Sequence, residues 1–450
     1  MEAIKQIHSF IWGAPLLLLF LGVGTYLTFI LRGLQFRYLA YGLKLAFGGG
    51  DRKGQGDISH FESLMTALAA TVGIGNIVGV ATALSVGGPG ALFWMWVTAL
   101  LGMAIKYSEA LLAVKFRKRG TRKEMLGGPM QYIEDGLGWR PLALSFALFG
   151  ILASFGGGNI LQSHSVADIL NSSLAIDPWI SGAIVAGLLG ISLIGGIKSI
   201  GKVAGYLVPI MALLYLTGAL AVIIIHSDNI FPSIAAIFSA ALSPSACFGG
   251  FAGSGVMVAL QVGVARGLMT SEAGLGTASI AAAAAKSDHP GRQAMVSMTG
   301  SFLATVILCT LTALVLMVTG VGNLNGYEGS IQGASLTWFA FQTTIPFGGE
   351  LVTLSLVLFA FTTLLGWAYY GEKCFEYLVG ERFIPLFRVL FCLITFFGAT
   401  LNLELVWVLT DIANALMAFP NLIAVPALST ILLKETRAFL LIREKELLAN

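Results

Sequence analysis

Ala69-Ala70-Thr71-Val72-Gly73-Ile74-Gly75-Asn76-Ile77-Val78-Gly79 sits inside a long apolar run, yet it is poor material for a continuous helix. Glycine costs about 1 kcal/mol relative to alanine in a helix interior, and this stretch places three within seven positions. A second stretch has the same character. Val262-Gly263-Val264-Ala265-Arg266-Gly267-Leu268-Met269-Thr270-Ser271-Glu272-Ala273-Gly274-Leu275-Gly276 adds charges of both signs. Non-helical backbone survives at membrane depth only where protein buries it or where it lines a polar cavity. Close packing of small residues between helices is the ordinary alternative for a single pair of glycines. The convergence of Gly, Thr, Asn, Arg and Glu in two separate segments favours interruption instead.

The surrounding composition requires lipid as solvent. Of 450 residues, 56% are hydrophobic and 11% charged, whereas soluble domains carry roughly 25% charged residues. About 20 apolar residues cross ~30 Å of hydrocarbon as a helix. The apolar segments parse as eleven crossings: 10–31, 61–86, 90–115, 142–170, 178–198, 204–226, 248–285, 293–320, 349–372, 384–402 and 405–433. Lys and Arg accumulate in cytoplasmic loops. Here they follow the first, third, fifth, seventh, ninth and last crossings, and loops 171–177, 227–247 and 321–348 contain none. This alternation predicts a multi-pass cell-membrane protein with its N-terminus outside and its C-terminus in the cytoplasm. The first run lacks a basic leader and a small-residue cleavage site, so a cleaved signal peptide is not expected.

Setting the first crossing aside leaves ten, and each interrupted helix opens a half of five. An odd number per half gives the halves opposite orientation, an inverted repeat. Interrupted segments at matching positions of two halves point to a transporter binding site. The expected fold is an all-α polytopic membrane protein of the leucine-transporter type: a 5+5 inverted repeat with one extra N-terminal helix. Its divisions are 1–60 (peripheral helix and cytoplasmic loop), 61–230 and 245–434 (the repeats), and 435–450 (a cytoplasmic tail).

The chemistry of a break follows from its loose ends. Free N–H groups at the start of a half-helix suit an anion such as a carboxylate. Free C=O groups with hydroxyls suit a hard cation such as Na⁺. The substrate carboxylate is therefore expected at the N–H groups of Ile74 and Gly75, beside Thr71 and Asn76. Na⁺ is expected at the carbonyls of Ala69 and Val72, completed by Thr362 and Thr363. Thr363 also faces the substrate, with Trp367 one turn later on the same helix face as a wall limiting side-chain size. Gln162 is expected at the substrate amine, Asn159 at the substrate or as a tie between helices, and Gly263 of the second segment at the substrate. Arg266 and Glu272 are costly at membrane depth. They are read as a structural or gating pair, with Asp411 as the alternative partner of Arg266, and Lys106 with Glu109 as another pair.

Several function classes lack support. The four cysteines (Cys247, Cys309, Cys374, Cys392) are scattered and the five histidines do not cluster, so neither disulfides nor a metal centre is expected. No nucleophile with base and no H-E-x-x-H motif suggests an enzyme. No repeated carbonyl filter or charged ring suggests a channel. The net charge of +3 follows topology and indicates no nucleic-acid partner.

Gly87-Gly-Pro-Gly-Ala-Leu-Phe-Trp-Met-Trp-Val-Thr-Ala-Leu-Leu-Gly102 closely resembles the signature of the alanine or glycine:cation symporter family. Thr71–Gly79, Arg266–Gly276 and Gly366-Trp-Ala-Tyr-Tyr-Gly-Glu372 are similar to further family segments, though Met269-Thr270 stands where Phe-Ser is expected. The resemblance covers most of the chain. It implies Na⁺-coupled, sometimes H⁺-coupled, uptake of alanine or glycine through a leucine-transporter-type fold; serine is a further candidate substrate, and the protein is expected to work by alternating access as a monomer. It implies substrate contacts from the first broken helix, Gln162 and Trp367, with ions near Thr362 and Thr363.

Overall fold

A computed structural model describes residues 6, 8, 10–48, 54–122, 124–242, 253–321, 333–401 and 404–449; Cys247 lies outside them. Apart from a two-residue strand pair, Lys118–Arg119 with Met125–Leu126, and two isolated bridges, the regular structure of the described residues is helical. In chain order, the first half holds α1 Ala14–Ile30, α2 His60–Thr71, α3 Val78–Gly87, α4 Gly90–Lys115 and α5 Arg140–Leu174, then α6 Pro178–Ile194, α7 Gly196–Ile225 and α8 Ile230–Leu242. The second holds α9 Gly253–Ser271, α10 Thr277–Ala283, α11 Pro290–Val318, α12 Ala334–Gln342, α13 Gly348–Val379, α14 Ile384–Gly398, α15 Glu404–Ala427 and α16 Ser429–Ala449.

Six described helices are long and apolar enough to cross a membrane, and the pair His60–Thr71 and Ile74–Gly87, bent by 68°, makes a seventh. The other expected crossings are shorter or divided. Helices α1 and α6 have 17 residues each and α14 has 15, while the expected span 248–285 splits into α9 and α10. Two loops and the tail also differ from expectation. Segment 227–247 contains α8, segment 321–348 contains α12, and residues 435–449 belong to helix α16. An apolar helix too short to span still hides its backbone polar groups, which explains α8 and α12 in stretches without basic residues.

The outer faces suit lipid. On α7, Ile210, Leu213, Leu220 and Ile224 are exposed along one stripe, while Val208, Met211, Tyr215 and Val222 are buried on the other. Helix α4 is the opposite case, 83% buried over its apolar window, and it packs against α9 and α11. A Cβ at Gly102 would stand 2.7 Å from Ala273 Cβ, so the signature segment 87–102 works as close-packing surface.

Helix α2 begins with a capping box. Ser59 Oγ accepts the Glu62 N–H at 3.1 Å, and the Ser59 N–H donates to Glu62 Oε2 at 2.7 Å, satisfying two of the otherwise orphaned end groups. Just before it, residues 55–58 pair with 285–287 just after α10 through bridges Gln55–Ser287 and Ile58–Ala285. Arg117 clamps this pairing, donating to the carbonyls of Ala283 (2.8 Å), Ala285 and Gln55 (both 2.6 Å). The two broken helices are thus joined at their outer ends.

Candidate functional site

The first break falls where the glycine spacing predicts it. Val72 still donates to Leu68 O at 2.7 Å, closing the last full turn of α2. Gly73 is extended, at φ −126° and ψ −161°. It donates its N–H to Asn76 Oδ1 at 3.2 Å instead of to Ala69 O. One 3₁₀ turn, Ile74–Asn76, then leads into α3. Ile74 and Gly75 give their N–H groups to no backbone carbonyl. The freed Ala69 carbonyl accepts the hydroxyl of Thr363 on α13 at 3.1 Å, and the same hydroxyl lies 2.8 Å from Phe359 O. Glycine at 73 is required by this approach, because a Cβ there would stand 2.5 Å from Thr363 Oγ1. Gly366, one turn below Thr363, does the same for the helix pair: a Cβ would reach Ala70 Cβ at 2.6 Å.

The second break is narrower than the glycines suggest. Helix α9 continues through Ser271, and the turn is confined to 272–276, with Glu272 at φ +50°, Gly274 at +84° and Gly276 at +78°. Gly263 and Gly267 lie within α9 as contact points for α4; their Cβ atoms would meet Ala91 O at 2.5 Å and Thr98 Cβ at 2.8 Å. A non-glycine residue in the left-handed region is strained. Here Glu272 is held by two hydroxyls, Thr71 at 3.1 Å and Thr277 at 3.2 Å, both on Oε2. The two breaks therefore touch through a carboxylate.

A cavity of about 500 Å³ opens between the breaks. Of the expected substrate residues, it brings together Thr71, Ile74, Gly75, Gln162, Thr363 and Trp367. Asn76 and Gly263 are not on its lining. The Asn76 amide is fully buried and donates to Ala304 O of α11 at 3.1 Å, making it a tie between α11 and the turn. Of the expected ion residues, Ala69 and Thr363 meet, and Val72 is buried at the end of α2. Thr362 faces elsewhere: its hydroxyl lies 3.4 Å from Met211 Sδ of α7 and 3.1 Å from Phe359 O. Adjacent helical residues point about 100° apart, since 3.6 residues complete a turn.

Helix α5 passes the cavity with a π-helical stretch at Gly156–Ile160, a feature often found at functional sites. Its three glycines admit close neighbours. A Cβ at Gly158 would overlap Trp367, and one at Gly157 would stand 2.6 Å from Thr410 Cγ2. Gln162, just beyond, donates to Gly157 O at 3.0 Å, leaving Oε1 without a partner. Asn159 is instead a tie to α14, donating to Phe391 O at 2.8 Å and accepting from Thr395 at 3.0 Å. Thr410 Oγ1 and Asn414 Oδ1 on α15 also line the cavity without partners. Sequence reading missed this α15 wall, although Thr410 and Asn414, four apart in an apolar span, carried the signal.

The expected charge pairs do not form. Arg266 lines the cavity near Met269 Sδ at 3.9 Å and pairs with neither Glu272 nor Asp411. Asp411 instead receives His8 Nε2 at 3.2 Å on its carboxylate and the Trp12 indole N–H at 2.9 Å on its backbone carbonyl. Lys106 and Glu109 are both buried and close enough to feel each other's charge, but no direct ion pair joins them among the described residues. Long-range pairing depends on tertiary rotation that spacing does not record.

A bent helix pair, a second broken helix and a polar cavity between them define a membrane transporter. The fold is shared with MhsT, solved in complex with L-phenylalanine: TM-score 0.62 over 86% of this chain and 93% of that one, at 13% identity. The chain matches the Sodium:alanine symporter family over residues 1–448, and it belongs to that family, one of transporters and not of enzymes. It is 50% identical over 448 residues, 98% of each chain, to the sodium/alanine symporter AgcS of Methanococcus maripaludis. It is 48% identical over 439 residues, 97% of this chain and 95% of the other, to an uncharacterized transporter of Haemophilus influenzae.

Proposed function

We propose that the protein imports alanine, with glycine and serine as further substrates, driven by Na⁺ through alternating access. The observation that carries this reading is the meeting of Thr363 with the freed Ala69 carbonyl, next to the unbonded N–H groups of Ile74 and Gly75. The N–H pair takes the substrate carboxylate, aided by the positive end of the following half-helix. The unpartnered Gln162 Oε1 takes the ammonium, and Trp367 closes off larger side chains. Oxygen ligands from Ala69, Val72 and Thr363 suit Na⁺, and rotation of Thr362 toward them adds another. An ion bound there steadies the unwound segment that forms the carboxylate site, so Na⁺ and alanine each tighten the other by the same factor.

This reading also takes the chain as eleven crossings in a 5+5 inverted repeat, N-terminus outside and C-terminus cytoplasmic, working as a monomer. In support, two broken helices meet at one cavity, and Lys and Arg recur in alternate loops between the expected crossings. The test is labelled alanine uptake into proteoliposomes under an imposed Na⁺ gradient. Uptake should saturate with alanine and collapse when choline replaces Na⁺. Equal alanine affinity with and without Na⁺ would overturn the coupling.

A further inference from the structure

An α-ammonium group carries three N–H donors and no acceptor. Gln162 Oε1 offers one acceptor, which leaves two donors to be placed wherever the group is held out of water, and an unsatisfied buried donor is costly. The α15 wall of the cavity holds two acceptors in the matching condition. Thr410 is 3% exposed and Asn414 5%, and neither Thr410 Oγ1 nor Asn414 Oδ1 has a hydrogen-bond partner among the described residues. Buried polar atoms nearly always find a partner. Two orphans one helical turn apart, both on residues that line the cavity, therefore point to a ligand.

The glycines of the π-helical stretch bring this wall to Gln162. A Cβ at Gly156 would overlap the Thr410 hydroxyl, and one at Gly157 would stand 2.6 Å from Thr410 Cγ2 and 3.8 Å from Asn414 Nδ2. The Gly157 carbonyl is also the group that holds Gln162 Nε2, at 3.0 Å. One glycine thus has Gln162, Thr410 and Asn414 around it, and its neighbour Gly158 packs on Trp367. The other polar groups on the lining are engaged or turned elsewhere. Glu272 receives Thr71, Thr277 and the Trp367 side chain, and Asp168 is exposed. His164 Nδ1 is also unpartnered, but it sits two residues past Gln162, about 200° around α5.

We propose that Asn414 and Thr410 bind the substrate, forming with Gln162 a three-acceptor socket for its ammonium group. Rotation of the Thr410 and Asn414 side chains turns their oxygens to the amine, so α15 closes on one end of the substrate while the first break holds the other. All three acceptors are neutral, and the socket therefore adds no charge to the cavity. It counts N–H groups. The ligand class it selects is the primary α-amine, because each N-alkyl substituent removes a donor and leaves a buried acceptor orphaned, a loss of roughly tenfold in affinity.

This inference rests on the symporter reading, and the experiment separates the two. Equilibrium binding to the purified full-length protein in saturating NaCl is measured for alanine, N-methylalanine and N,N-dimethylalanine. Wild-type affinity is expected to fall about tenfold with each methyl. Asn414→Ala removes one acceptor and opens room for a methyl. It is expected to weaken alanine binding about tenfold and to shrink the preference for alanine over N-methylalanine to about threefold or less. Thr410→Val keeps the shape of the side chain and should shrink the preference in the same direction, while Thr410→Ser should restore it; this pair carries the test if Asn414→Ala fails to fold. A merely structural role for these side chains would weaken all three ligands alike and leave the preference unchanged. That outcome, or equal wild-type affinity for the three ligands, would overturn the proposal and leave the symporter reading intact. Failure of the wild type to bind alanine in Na⁺ would take down the symporter reading together with the proposal built on it.

Discussion

The Thr71 hydroxyl lies 3.1 Å from Glu272 Oε2, linking the last helical residue of α2 to the first residue past α9. The contact joins two breaks 201 positions apart in sequence. Removing it with Thr71→Val keeps the side-chain volume and takes one hydroxyl donor from Glu272, leaving Thr277 and Trp367. A hydrogen bond to a charged group contributes about 1.5–3 kcal/mol, so alanine affinity is expected to fall roughly tenfold or more. Equilibrium binding in saturating Na⁺ measures it, and unchanged affinity would show that the two breaks act independently.

Thr363→Ala and Thr362→Ala should behave differently. Thr363 already touches Ala69, so its loss is expected to raise the half-saturating Na⁺ concentration by about tenfold, the equivalent of about 1.4 kcal/mol. Thr362 faces Met211 at rest, so its loss adds only what its rotated form contributes, a smaller rise. Na⁺ dependence of alanine uptake for the two variants side by side decides the order.

Gly73 and Gly75 give a steric contrast two residues apart. A Cβ at Gly73 collides with Thr363, whereas a Cβ at Gly75 meets no heavy atom within 4 Å. Gly73→Ala should abolish Na⁺-driven uptake by forcing α13 off α2. Gly75→Ala should fold normally and lose affinity for serine more than for glycine, because it takes space from the cavity. Thermal stability of the purified variants separates the folding effect from the binding one.

His289 gives the start of α11 a pH limit. Its Nδ1 accepts the Gly291 N–H at 3.1 Å, which requires the neutral ring. Burial is the main cause holding its pKa below the usual 6.5, opposed by Glu435 and Asp288. A depressed histidine stabilises the fold fully above its unfolded value, and that contribution is lost as pH falls through the folded one. Melting temperature should therefore drop below about pH 6.5 more steeply in the wild type than in His289→Asn, which keeps an acceptor for the cap without titrating.

Much of the first break was legible in the sequence because its causes are local. Glycines crowd between apolar residues, Thr363 and Trp367 share a helix face, and Gln162 is a polar residue with few partners available. The second break was read too widely for a definable reason. Gly263 and Gly267 look like unwinding residues, but glycine admits a neighbouring helix as readily as it loosens its own, and only α4 tells the two apart. Asn76 and Asn159 illustrate the same limit. A buried amide must find a partner, but the sequence does not say whether that partner is a substrate or the carbonyl of Ala304 or Phe391. The partners of Asp411, His8 and Trp12, lie about 400 positions away, beyond any spacing argument.

The Arg117 clamp has a consequence for how the protein responds to its surroundings. All of its acceptors are backbone carbonyls, which no change of pH can titrate and which salt screens far less than paired charges. The latch joining the roots of the two broken helices thus has no titratable acceptor, and Asp57 is the ionisable group whose field reaches its cation.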